Sequence, residues 1–394
     1  MSLPFRRQVL YIPGYDPFPP RRYRELYRRE GVAQAAISAY RIAMAKREQA
    51  GPGFGWAAET VINGQAARGE VEVLVWDDIV QRSMGRGIIA TYGQLVQTAW
   101  AYIGSGALFR LMRLRRGPVL AALYPIIVLT LQLLAAIAAG LLCGWLVSRV
   151  AGWWAGLPAG AGVVWAVLVL WQRHDNRFFA HYLMHDYAFT AAENGAYPRA
   201  LAQRVERFRD RIADALQGDW DEVLVIGHSS GAYLAVSALS ALPADHDTDA
   251  PALSLMTLGH VVPMASFLPR ADRLRADLAA LSRREDLFWL DVTAPGDACC
   301  FALCDPVAVS GVAPVDQRWP LVISAAFTQT LSSERQAALR NRWFKLHFQY
   351  LCAFDRPGDY DYFAITAGPQ TLAQRFAGRA HSPGRITLPA GRAA

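Results

Sequence analysis

The sequence predicts an α/β protein, a mostly parallel sheet with flanking helices, into which a two-helix transmembrane hairpin is inserted. Three observations predict it. Short apolar runs of strand length alternate with stretches of helical spacing. A Gly-x-Ser-x-Gly turn at 227–231 stands between one such run and an apolar helix. Residues 118–147 contain no charged side chain.

Residues 9–12 form a short apolar strand ending at Pro13 and Gly14, and an Arg-rich stretch at 21–50 has helical character. Residues 71–76 are a second strand, ending at Asp77 and Asp78. Beyond the hairpin, 197–216 has helical spacing, 222–226 is a strand and 232–241 the helix after it; 253–258 and 287–292 are further strands. Strands alternating with helices imply a largely parallel sheet covered on both faces. The hairpin therefore interrupts one domain. Residues 1–117 are its N-terminal part, 118–171 the hairpin and 172–376 the C-terminal part. The Arg-, Gly- and Pro-rich tail 377–394 is expected to be loose.

The run 118–147 exceeds the roughly 20 apolar residues that cross a bilayer. A second run, 150–171, is interrupted around Gly156, Leu157 and Pro158. Arg110, Arg113, Arg115 and Arg116 precede the first run, Arg173 and Arg177 follow the second, and Arg149 alone sits between them. The positive-inside rule puts both outer flanks in the cytoplasm, as in a bacterial-type inner-membrane protein whose catalytic domain faces the cytoplasm. Trp145, Trp153, Trp154 and Trp171 are placed to anchor the interfaces. The competing reading is a buried helical hairpin of a soluble protein.

Composition agrees with a soluble domain carrying a small membrane segment: among 394 residues, 53% are hydrophobic and 19% charged. That is too apolar for a simple globule and too charged for a polytopic transporter. The net charge of +7 is not gathered into one basic tract, which argues against nucleic acid; the basic clusters beside apolar runs point to anionic lipid. The five cysteines, Cys143, Cys299, Cys300, Cys304 and Cys352, form no disulfide framework and suggest a reducing compartment. No cleavable signal peptide is expected from the short apolar stretch near the N-terminus.

The stretch 221–239 reads as buried strand, Gly-His-Ser-Ser-Gly, then helix. That order exposes the hydroxyl of Ser229 on a sharp turn at the sheet edge. Gly227 and Gly231 let strand and helix approach, and the helix N-terminus favours a developing oxyanion. Ser230 is the competing serine. In these residues the chain resembles the α/β-hydrolase superfamily, most closely its lipases and esterases, over most of its length outside the hairpin. The resemblance implies an α/β-hydrolase-like fold and a nucleophile, acid and histidine in that chain order.

The family's acid falls at Asp297, in the turn 294–297 after a strand. Asp305 is the alternative acid, and Asp291 lies inside the strand. Of the histidines that follow, His347 lies in an aromatic segment and His381 in the tail, so His347 is the expected base. The oxyanion hole is expected from the N–H groups of Ser230 and Tyr15, with Gly14 opening the loop; where the family usually has His-Gly, this chain has Pro13 and Gly14.

His181 and His185, four apart, would share a helix face as metal ligands can, but the chain has no adjacent histidine pair, and with His174 they fit a juxtamembrane helix better. Cys299, Cys300 and Cys304 lack a matching second pair for zinc, and residues 245–249 lack the Gly and distant Glu of a calcium loop. No metal or organic cofactor is expected. The expected function is hydrolysis of acyl esters of lipids or other apolar molecules through an acyl-enzyme on Ser229, at the bilayer. Acyl transfer by the same residues, a non-catalytic membrane scaffold and, least favoured, a histidine-rich metal oxidase are the alternatives. Oligomeric state leaves no trace in the sequence.

Overall fold

The computed structural model describes residues 4–48, 53–84, 87–243 and 250–389; the stretch 245–249 considered above lies outside them. The chain opens with β1 (Phe5–Ile12), α1 (Arg21–Ile37) and the strands β2 (Arg41–Ala45), β3 (Gly55–Ile62) and β4 (Gln65–Val73). Helices follow: α2 (Asp77–Ser83), α3 (Ile88–Gly104), α4 (Ala107–Leu114), the long pair α5 (Arg116–Ala151) and α6 (Trp153–Arg173), a single turn α7 (Asp175–Phe178), α8 (Ala180–Ala191) and α9 (Arg199–Leu216). The second half runs β5 (Glu222–His228), α10 (Gly231–Ser240), β6 (Ala252–Leu258), α11 (Val262–Ser266), α12 (Asp272–Leu281), β7 (Leu287–Thr293), α13 (Pro306–Val309), β8 (Leu321–Ser324), α14 (Phe327–Thr330), α15 (Ser333–Leu339), α16 (Trp343–His347) and, past a short 3₁₀ turn, α17 (Tyr362–Ala367).

The eight strands make one mixed sheet, ordered β2-β3-β4-β1-β5-β6-β7-β8. From β4 to β8 all neighbours are parallel; β3 runs antiparallel to both β2 and β4. The central strands are buried on both faces, which is why they read as unbroken apolar runs rather than alternating ones. One face packs on α9, α10 and α12 through residues such as Phe208, Leu234 and Leu278. The other packs on α1 and α17 through Tyr23, Tyr27 and Phe363.

This layering fixes where a site can form. β1 leads to α1 on one face, and its neighbour β5 leads to α10 on the other. Adjacent strands whose connections leave in opposite directions open a crevice at their C-terminal ends. The β1–β5 register pairs Ile12 with Gly227, so the loop after β1 and the turn after β5 meet at that crevice.

Several elements differ from the sequence reading. The Arg-rich helix stops at Ile37 instead of continuing to 50: Ala39 adopts φ 56° and the chain turns into β2. The strand read at 71–76 is β4, which starts at Gln65 and ends at Val73. Its hairpin partner β3 was not anticipated. Asn63 (φ 51°) and Gly64 (φ 79°) form the two-residue turn between them, where both residues must be left-handed. The tail is not loose up to 389. The Ser382 N–H donates to Val322 O (3.0 Å), and Ile386 bridges Cys304 in the segment after β7. Backbone groups at the open edge of β8 are thereby paired, which holds the segment.

The structure contains two helices long and apolar enough to cross a membrane. At 36 and 21 residues they span about 54 and 32 Å at 1.5 Å per residue. The surplus length of α5 is rooted in the body, where Val119, Ala121, Pro125 and Leu129 are buried. Beyond it the apolar surface is bare: Val150 is 91% and Trp153 72% exposed. Gly152 (φ 85°) makes the turn, and α6 continues through Gly156 and Pro158 without the interruption read there. Gly140 and Gly144 face Gly160 and Gly156; a Cβ on Gly160 would lie 2.7 Å from Gly140 O, and one on Gly156 would lie 2.5 Å from Gly144 O. This small-xxx-small crossing lets the two backbones touch.

Candidate active site

The turn after β5 has the geometry its sequence suggests. Ser229 adopts φ 57°, a left-handed conformation that a non-glycine residue adopts only when its surroundings hold it there. Its N–H donates to Leu258 O at the end of β6 (2.9 Å). The flanking glycines are steric requirements. A Cβ on Gly231 would lie 2.2 Å from Ile12 O, and one on Gly227 would lie 2.6 Å from Ala232 Cα. Ser230 caps α10 in helical conformation, so the helix begins immediately behind the serine.

Asp297 and His347 meet beside this turn, the first from the loop after β7 and the second from the end of α16. His347 Nδ1 is 2.7 Å from Asp297 Oδ2. Asp297 also accepts from the Cys299 N–H (2.9 Å) and the Tyr350 hydroxyl (3.1 Å). Burial drives its carboxyl upward, but the charge of His347 and these hydrogen bonds outweigh burial and hold it below the usual range. Nε2 of His347 is buried with no hydrogen-bond partner. The ring lies against Gly259, where a Cβ would come within 3.1 Å of His347 Cε1 and 2.7 Å of Tyr350 Cε2. Gly259 directly follows Leu258, whose carbonyl holds Ser229. The serine and the imidazole thus pack on consecutive residues at the tip of β6, Ser229 on Leu258 and His347 on Gly259.

The loop after β1 closes the third side. A Cβ on Gly14 would sit 3.0 Å from Ser229 Cβ and 3.4 Å from Ser230 Oγ, so glycine lets this loop lie on the turn that carries Ser229. The loop is held from behind: Trp76 Nε1–H donates to Pro13 O (2.9 Å), Tyr15 OH lies 2.7 Å from Ser83 Oγ, and Asp16 pairs with Arg22 (2.7 Å). Among the described residues, no group accepts from the N–H of Tyr15 or of Ser230. Two backbone donors are thus free on either side of Ser229, which is what an oxyanion requires.

Three further residues shape the site and are not apparent from sequence motifs. His228 stacks on His347 with ring centroids 4.8 Å apart, and its Nε2 lies 3.1 Å from His347 O. Burial, aided by the charge of His347, pushes His228 down to about 3, so it stays neutral. Tyr350, three residues beyond His347, stays protonated because burial and the Asp297 charge raise its pKa, and it remains a donor. Asp186 on α8 is raised to about 7 by burial, against the opposing charge of His347. When ionised it adds to burial in raising Tyr15, Tyr182 and Cys299.

The remaining candidates are engaged elsewhere. Asp305 does not reach His347. Its Oδ1 caps α13 through the N–H groups of Val307 and Ala308, and its Oδ2 takes Gln317 and Arg385. Asp291 is fully buried and accepts from Thr257 (2.6 Å). His381 accepts from the Val322 N–H (3.1 Å) on the edge of β8. His185 Nδ1 lies 2.6 Å from Gln94 Oε1, and His174 Nδ1 2.8 Å from Leu170 O. All five cysteines are free. Cys299 brings its sulfur near Asp297 and His347, with ligand-type atoms within 4.8 Å of one another. A cation there would have to replace the 2.7 Å hydrogen bond, and burial together with Asp297 keeps the Cys299 thiol protonated.

No family model matches the sequence, and neither a curated protein nor a solved structure shows significant similarity to it.

Proposed function

We propose that this protein is a membrane-anchored serine hydrolase of the α/β-hydrolase type, cleaving acyl esters of lipids or other apolar molecules through an acyl-enzyme on Ser229. The observation that carries the reading is Ser229, held at φ 57° on a strand-to-helix turn, beside an imidazole whose far nitrogen is 2.7 Å from a buried carboxylate.

In this reading His347 Nε2 takes the Ser229 proton as Oγ attacks the ester carbonyl, and Asp297 stabilises the imidazolium by accepting from Nδ1–H. The oxyanion is received by the N–H groups of Tyr15 and Ser230. Collapse of the tetrahedral intermediate expels the alcohol, which leaves with the proton from His347. Water, deprotonated by the same nitrogen, attacks the acyl-enzyme and releases the carboxylic acid, and Ser229 regains its proton.

Two observations support an apolar acyl group and a membrane location. A largely apolar pocket, lined by Leu111, Val119, Ile126 and Met264 with Tyr102, Tyr187 and Thr98, lies between the root of α5 and the body. Tyr187, on its wall, belongs to the same helix, α8, as Asp186. The bare, uncharged surfaces of α5 and α6 are stable in hydrocarbon and unfavourable in water. With Arg113, Arg115, Arg116, Arg173 and Arg177 at the root and Arg149 near the tip, the catalytic body lies on the cytoplasmic side.

The test is release of free carboxylic acid from acyl esters of increasing chain length by the protein reconstituted in lipid. Wild type is expected to release acid and Ser229→Ala none. Equal release by both contradicts the proposal.

A further inference from the structure

We propose that a basic pocket at the root of the hairpin binds the phosphate headgroup of an anionic phospholipid and ties the helix carrying His347 to the membrane. The inference rests on the membrane reading of α5 and α6 and leaves open whether Ser229 turns over.

The pocket lies between the hairpin root and α16, and its lining includes Tyr124 on α5, Arg177 on α7, Phe179, Arg342, Trp343 and Lys345. Three cations therefore share one cavity, and no Asp or Glu lines it. Among the described residues, no hydrogen-bond or ion-pair partner is found for the three side chains. Other arginines of the body do find carboxylates, as Arg204 does with Asp78, Arg211 with Glu72 and Arg284 with Asp286. All three are exposed and line one cavity, so an anion placed there would meet all three positive charges.

Position selects the anion. Arg177 follows α6 by four residues, where the chain leaves the second apolar helix. Tyr124 sits on α5 near Pro125, at the level where that helix passes from the protein body to its bare surface. In a bilayer this is headgroup depth, where basic residues meet anionic lipid and Trp and Tyr favour the interface. Trp343 is 45% exposed and Phe179 44%, and both line the pocket, giving an apolar rim for acyl chains below the phosphate.

The same residues join the hairpin to the candidate base. Tyr124 meets Trp343 edge-on with ring centroids 5.9 Å apart, and Phe344 packs on Phe179 (5.3 Å) and Tyr182 (6.0 Å). α16 is five residues long and ends at His347. A phosphate bridging Arg177 to Arg342 and Lys345 would hold α16 against the membrane root.

The experiment uses the full chain in nanodiscs of phosphatidylcholine with phosphatidylglycerol added, followed by native mass spectrometry of retained lipid. Wild type is expected to retain phosphatidylglycerol preferentially. The triple variant Arg177→Gln, Arg342→Gln, Lys345→Gln should lose that preference by about two orders of magnitude, from roughly 1 kcal/mol for each of the three basic residues. The charge-preserving pair Arg342→Lys, Lys345→Arg should keep it. Equal retention of both lipids by wild type, or unchanged preference in the triple variant, overturns the proposal. Displacement by soluble glycerol phosphate as readily as by lipid overturns the lipid source. Because retention needs no turnover, an inactive Ser229 would contradict the hydrolase reading without touching this one.

Discussion

His228, the residue before the candidate nucleophile, is bound to the candidate base: its Nε2 lies 3.1 Å from the carbonyl oxygen of His347, and the two rings stack at 4.8 Å. With its pKa pushed down to about 3, His228 is neutral and Nε2–H donates. The second position of the Gly-x-Ser-x-Gly motif thus positions the end of α16. His228→Phe keeps an aromatic face but loses the donor. It should lower kcat/KM by about tenfold, the value of one buried hydrogen bond of ~1–1.5 kcal/mol, with KM little changed. Steady-state kinetics with a chromogenic ester checks this, and an unchanged kcat/KM removes His228 from the account.

The two carboxylates weighed from sequence should separate cleanly. Asp297→Asn keeps the shape but loses the charge that holds the imidazole, and kcat should fall by roughly 10³–10⁴. Asp305→Asn weakens a helix cap and the pair with Arg385, so it should lower thermal stability by about 1–3 kcal/mol and leave kcat within a few-fold. The reverse pattern would make Asp305 the functional acid.

Asp186 gives a pH signature. Its folded pKa of about 7 lies above the ordinary 3.8, so the folded state binds the proton more tightly than the unfolded chain. Stability from this group is therefore lost as pH rises from about 4, and the loss is complete above about 7. Asp186→Asn should raise the thermal midpoint at pH 8, by the equivalent of roughly 1–3 kcal/mol, and have little effect near pH 4. A gain of equal size at both pH values would show that the charge is not the cause.

Gly259 tests the packing of the base. At φ 52°, with His347 and Tyr350 against it, Gly259→Ala strains the backbone and drives both rings outward. Activity should fall at least a hundredfold, while Gly64→Ala, also left-handed (φ 79°) but with open space around it, leaves activity unchanged. Comparable activity in the two variants contradicts the placement of His347.

These contrasts show which features sequence exposes. The strand–turn–helix around Ser229 is legible because its requirements are local: an apolar run, two glycines and a helix start. The apolar hairpin is legible because a charge-free run of 30 residues has few other uses. Pairing Asp297 with His347 took the family's chain order, since 50 residues separate them. His228, Tyr350 and Asp186 reach the site through tertiary packing, and no spacing rule marks them. β2 is hidden at the end of an Arg- and Ala-rich stretch that reads as helix, and β3 lacks a clean alternation of apolar and polar residues, although Asn63 and Gly64 carry a hairpin signal. The tail reads as loose because it is held by backbone pairing with β8, to which composition is blind.

The most direct test of the central claim is intact-mass spectrometry of the purified full-length protein after exposure to a fluorophosphonate. The account predicts one covalent adduct on Ser229, absent in Ser229→Ala and formed far more slowly in His347→Ala. A well-folded wild type that takes up no label, or a label that persists in Ser229→Ala, would contradict it.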